Sequence, residues 1–237
     1  MDALEPPLIE AFRQHPMDAD TIEARSLAII DREAPSHRFA EDEWVVVRRM
    51  IHASADFALA ECTRFSHQAI PAAVAALCSG APIYADSNMI RAGLSLARLR
   101  RVCNSYDPEK VFCHVADSDV AEQARASAMP RSLYAVSKAK PILHGGIAVF
   151  GNAPVALLEL NRMIIEEGVR PALVIGMPVG FVHVVESKEE LMKLPVPWIA
   201  LEGRRGGSTL AVAALHALCQ LCEQKPSGKF EKESTGR

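Results

Sequence analysis

Residues 145–175, GGIAVFGNAPVALLELNRMIIEEGVRPALVI, decide the fold class. The segment begins with a short apolar run at 145–150, continues with a helical spacing of apolar residues at 153–167, and returns to an apolar run at 172–175. Short apolar strands bounded by Gly or Pro, with a helix between them, are typical of parallel β-α units rather than of hairpins. The segment therefore predicts an α/β protein with a parallel sheet.

The same alternation extends on both sides of this segment. It adds three predicted strands, at 82–85, 110–115 and 198–201. With the two above, the sequence predicts five strands. The remaining predicted helices are 19–33, 41–63, 71–79, 117–128, 131–138, 187–192 and 208–222. We expect one domain over residues 1–222, followed by a polar and flexible tail at 223–237.

Composition and charge narrow the class of protein. The chain has 237 residues, of which 49% are hydrophobic and 23% charged, as in an ordinary globular domain. Apolar runs fall short of the roughly 20 residues that cross a bilayer, and the acidic, proline-containing start is unlike a signal peptide, so we expect a cytoplasmic protein without a membrane partner. With 29 acidic against 26 basic residues, nucleic acid is not an expected partner.

Two common kinds of site lack their sequence patterns. The glycines form neither G-x-G-x-x-G nor a phosphate-binding G-x-x-x-x-G-K-[ST], so the sheet is Rossmann-like without a dinucleotide fingerprint. The six cysteines include one close pair, Cys219 and Cys222, without a second pair or a suitably spaced histidine cluster. We therefore expect reduced structural thiols, no metal and no cofactor.

The loops after the predicted strands indicate where a ligand would bind. In an open parallel sheet, ligands gather at the carboxyl ends of the strands. Four distinctive segments follow strands there: DSN at 86–88, GNAP at 151–154, GMPVGF at 176–181 and GRRGGS at 203–208. Asp86, with Asn88, is expected to cap the next helix. The predicted site is therefore built from loops.

His52 is the candidate for proton transfer within the second predicted helix. Arg48 and Asp56 lie one turn away on either side of it, and Arg49 is three positions before it. Asp56 would favour the imidazolium, whereas the two arginines and desolvation would oppose it. Judged by spacing alone, a helical histidine is more often structural than catalytic.

Arginines at two predicted helix starts are candidates for binding carboxylates. Arg131 follows Pro130 at one start, and Arg204 and Arg205 precede another. Guanidinium groups and free N–H groups at helix N-termini both suit carboxylates. By spacing alone, solvated surface charge is the better explanation of either cluster, although both clusters lie on the expected ligand side of the sheet. Ser26 shows no nucleophile motif around it.

Taken together, the motifs resemble one family, the precorrin-8 methylmutases, also called precorrin isomerases. The resemblance extends from about Thr21 to Leu221. The matching segments are 22–23 with 25–26, 28–30, RMIH at 49–52, GAPI at 80–83, 86 with 88–89, GNAP at 151–154, GMPVGF at 176–181, ESK at 186–188, and 203–204 with 206–208.

The resemblance implies a three-layer α/β/α sandwich with a parallel five-stranded sheet, assembled as a homodimer with active sites near the subunit interface. It implies an isomerase that moves a methyl group from carbon eleven to carbon twelve of a corrin precursor, giving hydrogenobyrinate, or cobyrinate when cobalt is present. His52 matches the catalytic histidine, which acts as general acid at a ring nitrogen, while Ser26, Arg49 and Arg131 match substrate contacts. We add Asp86 and Arg204 as further candidate substrate-binding residues.

The sequence after the histidine favours one branch of the family. Residues 55–57, ADF, with 88–93, NMIRAG, look more like the branch that acts on cobalt-precorrin-8 than the metal-free branch. Two alternatives remain: a corrinoid carrier that passes its ligand to the next enzyme, and a nucleotide-dependent oxidoreductase, which lacks its fingerprint. Product channelling to the next pathway enzyme is compatible with either corrinoid function.

Overall fold

One mixed sheet organises the protein, described by a computed structural model over residues 7–224. Its order is β1-β6-β5-β4-β2-β3, with β1 antiparallel to β6 and the other neighbours parallel. The strands are β1 Thr63–Phe65, β2 Ile83–Ala85, β3 Val111–Phe112, β4 Ile147–Phe150, β5 Leu173–Gly176 and β6 Trp198–Leu201. The fold class predicted from the sequence is confirmed.

Helices lie between and around these strands. They are α1 Leu8–Gln14, α2 Ala19–Glu33, α3 Glu41–Ser54, α4 Leu59–Cys62, α5 Ala69–Cys78, α6 Asn88–Gly93, α7 Leu96–Val102, α8 Ser118–Ser127, α9 Arg131–Lys138, α10 Lys140–Leu143, α11 Pro154–Glu166, α12 Val184–Leu191 and α13 Ser208–Gln224, with a short 3-10 turn at Pro108–Lys110. Within residues 7–224, every helix is too short or too polar to span a membrane.

Alternating side chains of the central strand β4 divide the core into two layers. Ile147 and Val149 pack with residues of α3, α5 and α13. Ala148 and Phe150 pack with residues of α9, α11 and α12 on the other face. Because successive strand residues point to opposite faces, a strand buried on both sides needs a helical layer on each. This gives the α/β/α sandwich.

The first part of the sheet differs from the prediction. All five predicted strands form, but a sixth, β1, pairs Thr63 with Leu201 at the edge, where a helix over 41–63 was expected. That prediction was wrong because α3 ends at Ser54: Ala55 adopts a left-handed conformation with φ of 54°, and its N–H closes on the carbonyl of Ile51.

The chain ends also differ in part from expectation. Helix α1 was not predicted, and none of its side chains is buried. At the other end, α13 continues to Gln224, so the first two residues of the predicted tail are helical. The prediction for residues 225–237 falls outside the described part of the chain.

Candidate active site

His52 lies in the last turn of α3 and is partly buried. Carbonyl groups at a helix C-terminus favour a cation, so this location suits an imidazolium. Arg49, one turn earlier, forms an ion pair with Glu23 of α2 and is only 13% exposed. Ser26 lies one turn after Glu23, and its hydroxyl donates to the carbonyl of Ile22 at 2.8 Å. The Arg49–Glu23 pair thus joins the end of α3 that carries His52 to the part of α2 that carries Ser26.

The charged stripe expected around His52 does not form. Asp56 lies beyond the end of α3, where its carboxylate accepts hydrogen bonds from Arg205 Nε and the N–H of Ala58, both at 3.0 Å. Arg48 pairs instead with Asp31 of α2 at 2.5 Å. The expected one-turn spacing between His52 and Asp56 was therefore wrong, because it assumed that the helix continues.

A depression of about 430 Å³ opens directly beside the end of α3. Its walls come from the C-terminal end of α3, the loop after β5 and the loop after β6, at the carboxyl edge of the parallel strands. They are formed by Ala53, Ser54, Asp56, Leu59, Val179, Arg205, Gly206, Gly207, Thr209 and Leu210. The location at this edge agrees with the site that the sequence predicts.

A hydrogen bond from the side chain of Lys188 holds the loop after β6. The Lys188 side chain is fully buried on α12, and Nζ donates to the carbonyl of Arg205 at 2.8 Å. Burial lowers the pKa of Lys188 to about 8, against a small opposing effect of Cys62. The sequence analysis quoted Lys188 without giving it a role, although Val184 and Leu191 share its helical face and are buried too.

A glycine lets the two loops touch. A Cβ at Gly206 would lie 2.2 Å from the carbonyl oxygen of Met177 and 2.6 Å from that of Pro178. The N–H of the next residue, Gly207, donates to the Met177 carbonyl at 2.9 Å. The loops after β5 and β6 therefore pack backbone to backbone beneath the depression.

Asp86 shapes a third loop at the same edge. It is 1% exposed, and its carboxylate accepts N–H groups of Gly151, Asn152 and Ala153 at 3.2, 2.8 and 2.7 Å. Burial raises the pKa of Asp86 despite these three donors. The expected capping by Asp86 was wrong, because Ser87 caps α6 by accepting the N–H of Ile90. Direct contact between Asp86 and a substrate stays a prediction.

The two arginine candidates lie in different places. Arg204 is exposed at the carboxyl edge, and its guanidinium carbon lies 5.5 Å from the ring centroid of Phe181, which is 82% exposed. Together they place a cation and an aromatic face on the rim of the depression. Arg131 is exposed at the start of α9, in the helical layer opposite α3. Within one chain, Arg204 therefore lies at the same edge of the sheet as the end of α3, whereas Arg131 lies in the helical layer on the opposite face.

The fold and the motifs have counterparts among known proteins. Residues 21–221 match the precorrin-8X methylmutase family. This chain belongs to that family. The resemblance stated from the motifs is thus confirmed, and with it the enzyme class, because methylmutases of this family are isomerases of cobalamin biosynthesis.

Relatives of this methylmutase chain are similar over nearly their whole length. Cobalt-precorrin-8 methylmutase of Leptospira interrogans is 45% identical, covering 86% of this chain and 94% of its own. The cobalt-precorrin-8 methylmutase of Priestia megaterium is 41% identical, covering 90% and 92%. The crystal structure of precorrin-8X methylmutase from Thermus thermophilus is 49% identical, covers 87% of this chain and 97% of its own, and superposes with a TM-score of 0.79.

The sequence analysis missed two further residues of this methylmutase near Arg49, namely His216 and Arg98. His216 of α13 accepts the N–H of Ser95 at 3.0 Å, which seats the start of α7. Burial, with the charges of Arg98 and Arg49, lowers the pKa of His216 to about 4, so its imidazole is neutral near pH 7. No local sequence signal marks His216 or Arg98, because both reach the site only through the packing of α13 and α7.

The six cysteines all lie within the described residues. All six cysteines are free; Cys113, Cys219 and Cys222 are buried. Among residues 7–224, no group of three or more His, Cys, Asp or Glu side chains could hold a metal ion.

Proposed function

We propose that the protein moves a methyl group from carbon eleven to carbon twelve of precorrin-8 or cobalt-precorrin-8, with His52 as general acid. The observation that carries this proposal is the position of His52, partly buried in the C-terminal turn of α3, whose next two residues, Ala53 and Ser54, line the depression at the carboxyl edge of the sheet. The product is hydrogenobyrinate, or cobyrinate when the ring holds cobalt.

The proposed reaction uses reversible proton donation by a general acid and needs neither a nucleophile nor a redox step. An imidazolium at His52 hydrogen-bonds to or protonates a ring nitrogen near the migrating methyl group, which withdraws electron density from the conjugated system. The methyl group then shifts within the same molecule in a [1,5]-sigmatropic step, and the proton returns to His52. Substrate and product are isomers, so atoms and electrons balance without a co-reactant.

Arginines supply recognition of the acetate and propionate side chains. Arg49 lies beside His52, and Arg204 lies on the rim with Phe181, so each can meet a carboxylate at the edge of a ring. Ser26 offers a hydroxyl one helical turn after Glu23, the partner of Arg49. Asp86 contributes by shaping the loop at Gly151, and Arg131 binds a carboxylate from the opposite layer.

We propose that the natural substrate carries cobalt and that the enzyme is a cytoplasmic homodimer that hands its product to the next enzyme. Support for cobalt is that two relatives at 45% and 41% identity are named for cobalt-precorrin-8, together with residues 55–57 and 88–93, which look like that branch of the family. Support for a dimer is the presence of highly exposed large apolar side chains, among them Phe181, Val182 and Met89, which are 82%, 71% and 69% exposed.

The test is an anaerobic absorbance assay with precorrin-8 and cobalt-precorrin-8 in parallel, because migration changes the conjugated system. His52→Ala should keep ligand binding and lose turnover by about 10²–10⁴-fold, the usual contribution of general acid catalysis. The matched control is His67→Ala, at an exposed histidine before α5, which should turn over like wild type. Tight binding of both ligands by wild type without conversion would establish a carrier instead.

A further inference from the structure

Two ion pairs join α2 to α3, and they occupy different levels of the helix pair. Arg48 binds Asp31, which also accepts the indole N–H of Trp44 at 2.8 Å. Arg49 binds Glu23. At 1.5 Å per residue, Asp31 lies about 12 Å farther along α2 than Glu23. Since Trp44 marks the earlier part of α3, the Asp31 pair lies away from His52 and the Glu23 pair lies at its level.

Glu23 is thus the carboxylate that shares the charged environment of His52. Burial opposes its ionisation, but the hydrogen bond and charge of Arg49, with the charges of Arg98 and His52, lower the pKa of Glu23 overall. Its side chain is 36% exposed, so it remains accessible to an exchange of partners.

Four further titratable or charged groups near the end of α3 are Arg49, Arg98, His216 and Asp56. Arg49 lies on the same helix, and Arg98 of α7 acts on Glu23 from another side. His216 of α13 is neutral near pH 7, as its lowered pKa of about 4 requires. Asp56 is bound to Arg205. Glu23 is the carboxylate bound to Arg49, one turn from His52, and its charge interacts with that of His52.

We propose that Glu23, rather than Asp56, is the positioning residue that holds the proton on His52, and that a substrate carboxylate strengthens this hold by sharing Arg49. The assignment rests on the proposed role of His52 as general acid. When a carboxylate of the corrinoid binds Arg49, it neutralises a cation next to His52 and leaves more of the Glu23 charge for the imidazolium. Binding of the polycarboxylate and charging of the acid are thereby linked.

The first test is a titration of the His52 imidazole by nitrogen-detected NMR, with the resonance assigned by its loss in His52→Gln. Glu23→Gln should move the titration midpoint down by roughly half a pH unit, the scale expected for one partly exposed ion pair. Asp31→Asn removes the other ion pair of the same two helices and should leave the midpoint where it is in wild type. Glu23→Asp keeps the negative charge and should return the midpoint toward wild type.

The second readout uses hydrogenobyrinate, a product without paramagnetic cobalt. Its binding should raise the His52 midpoint more in wild type than in Glu23→Gln. In turnover assays, the alkaline loss of kcat should begin at lower pH in Glu23→Gln and be unchanged in Asp31→Asn.

An unchanged midpoint in Glu23→Gln, or an equal change in Asp31→Asn, would overturn the assignment. The titration needs no turnover, so it separates this inference from the proposed function. If His52→Ala still isomerises the substrate, the proposed role of His52 is wrong whatever the titration midpoint. If His52→Ala is inactive and the midpoint is the same in Glu23→Gln as in wild type, only the assignment of Glu23 is wrong.

Discussion

Lys188 gives an unusual prediction, because replacing it by an apolar residue should make the protein more stable and less active. Lys188→Met keeps a side chain of similar length in the buried position on α12. It removes a fully buried ammonium group together with its hydrogen bond to the carbonyl of Arg205. The change therefore relieves a cost of burial and releases the loop that carries Arg204.

The magnitude follows from the lowered pKa. A fall from 10.5 to about 8 corresponds to a cost of roughly 3 kcal/mol for keeping the charged form of Lys188 in the fold, at about 1.4 kcal/mol per pKa unit. Leaving the Arg205 carbonyl without its donor costs about 1–2 kcal/mol. At pH 7 the free energy of unfolding of Lys188→Met should thus exceed that of wild type by about 1–2 kcal/mol.

The pH dependence makes the prediction sharper. Between pH 8 and 10.5 the unfolded chain holds the Lys188 proton more tightly than the folded chain does, so wild type gains stability relative to the variant as pH rises. The advantage of Lys188→Met should shrink through this window and become a small loss above it, where only the missing hydrogen bond counts.

Urea unfolding of both proteins at pH 7, 9 and 10.5 measures these differences, and Lys193→Met, at an exposed lysine just after α12, is the matched control. The control should stay within about 0.5 kcal/mol of wild type at each pH. In the absorbance assay, Lys188→Met should raise KM more than it lowers kcat. A variant less stable than wild type at pH 7, by an amount independent of pH, would refute the reasoning.

Two further predictions concern groups beneath and beside the site. Asp86→Ala leaves three backbone N–H groups without their acceptor and should lower the free energy of unfolding by about 2–3 kcal/mol in urea titrations. Asp119→Ala, on the surface of α8, should cost much less, and equal losses would contradict the role of Asp86. The pKa of His216 is about 4 in the folded protein, against 6.5 for an ordinary histidine. The unfolded chain therefore takes up the proton at higher pH than the folded chain, and the free energy of unfolding should fall as pH drops from 6.5 to 4. We expect a fall of about 2 kcal/mol after allowing for the partial exposure of the side chain. His216→Gln should flatten this slope while His67→Gln leaves it, and a slope shared by all three proteins would assign it to other groups.

The sheet was predictable because its strands are short apolar runs bounded by Gly and Pro. The parallel order follows from the helices between them, and five of the six strands were found in this way. The missed strand, β1, has only three residues, and the helix end before it carries Ala55 rather than Gly in the left-handed conformation. Without the glycine that usually marks such an end, nothing in the local sequence stops the predicted helix.

The candidate site was predictable in place but not in its pairings. Loops after parallel strands meet at one edge whatever their sequence, which is why the residues around Arg204 could be located. The partner of Asp56 could not, since Arg205 reaches it through the folded sheet. Glu23 likewise meets Arg49 only when α2 packs on α3. Ion pairs of this kind depend on tertiary contacts that spacing along one helix cannot supply.

The antiparallel edge pair bears on how the enzyme accommodates its ligand. Thr63 pairs with Leu201, and the N–H of Glu202 donates to the carbonyl of Cys62 at 2.8 Å, so the chain leaving the histidine helix and the chain entering the arginine loop are bonded side by side. Backbone hydrogen bonds thus join the segment that follows the His52 helix to the segment that leads into the Arg204 loop. If the backbone hydrogen bonds hold these two segments at a fixed spacing, we expect adjustment to a different ring shape or metal content to come from exposed side chains such as Phe181 and Val182, so substitutions there are the ones to try when a different corrinoid is to be accepted.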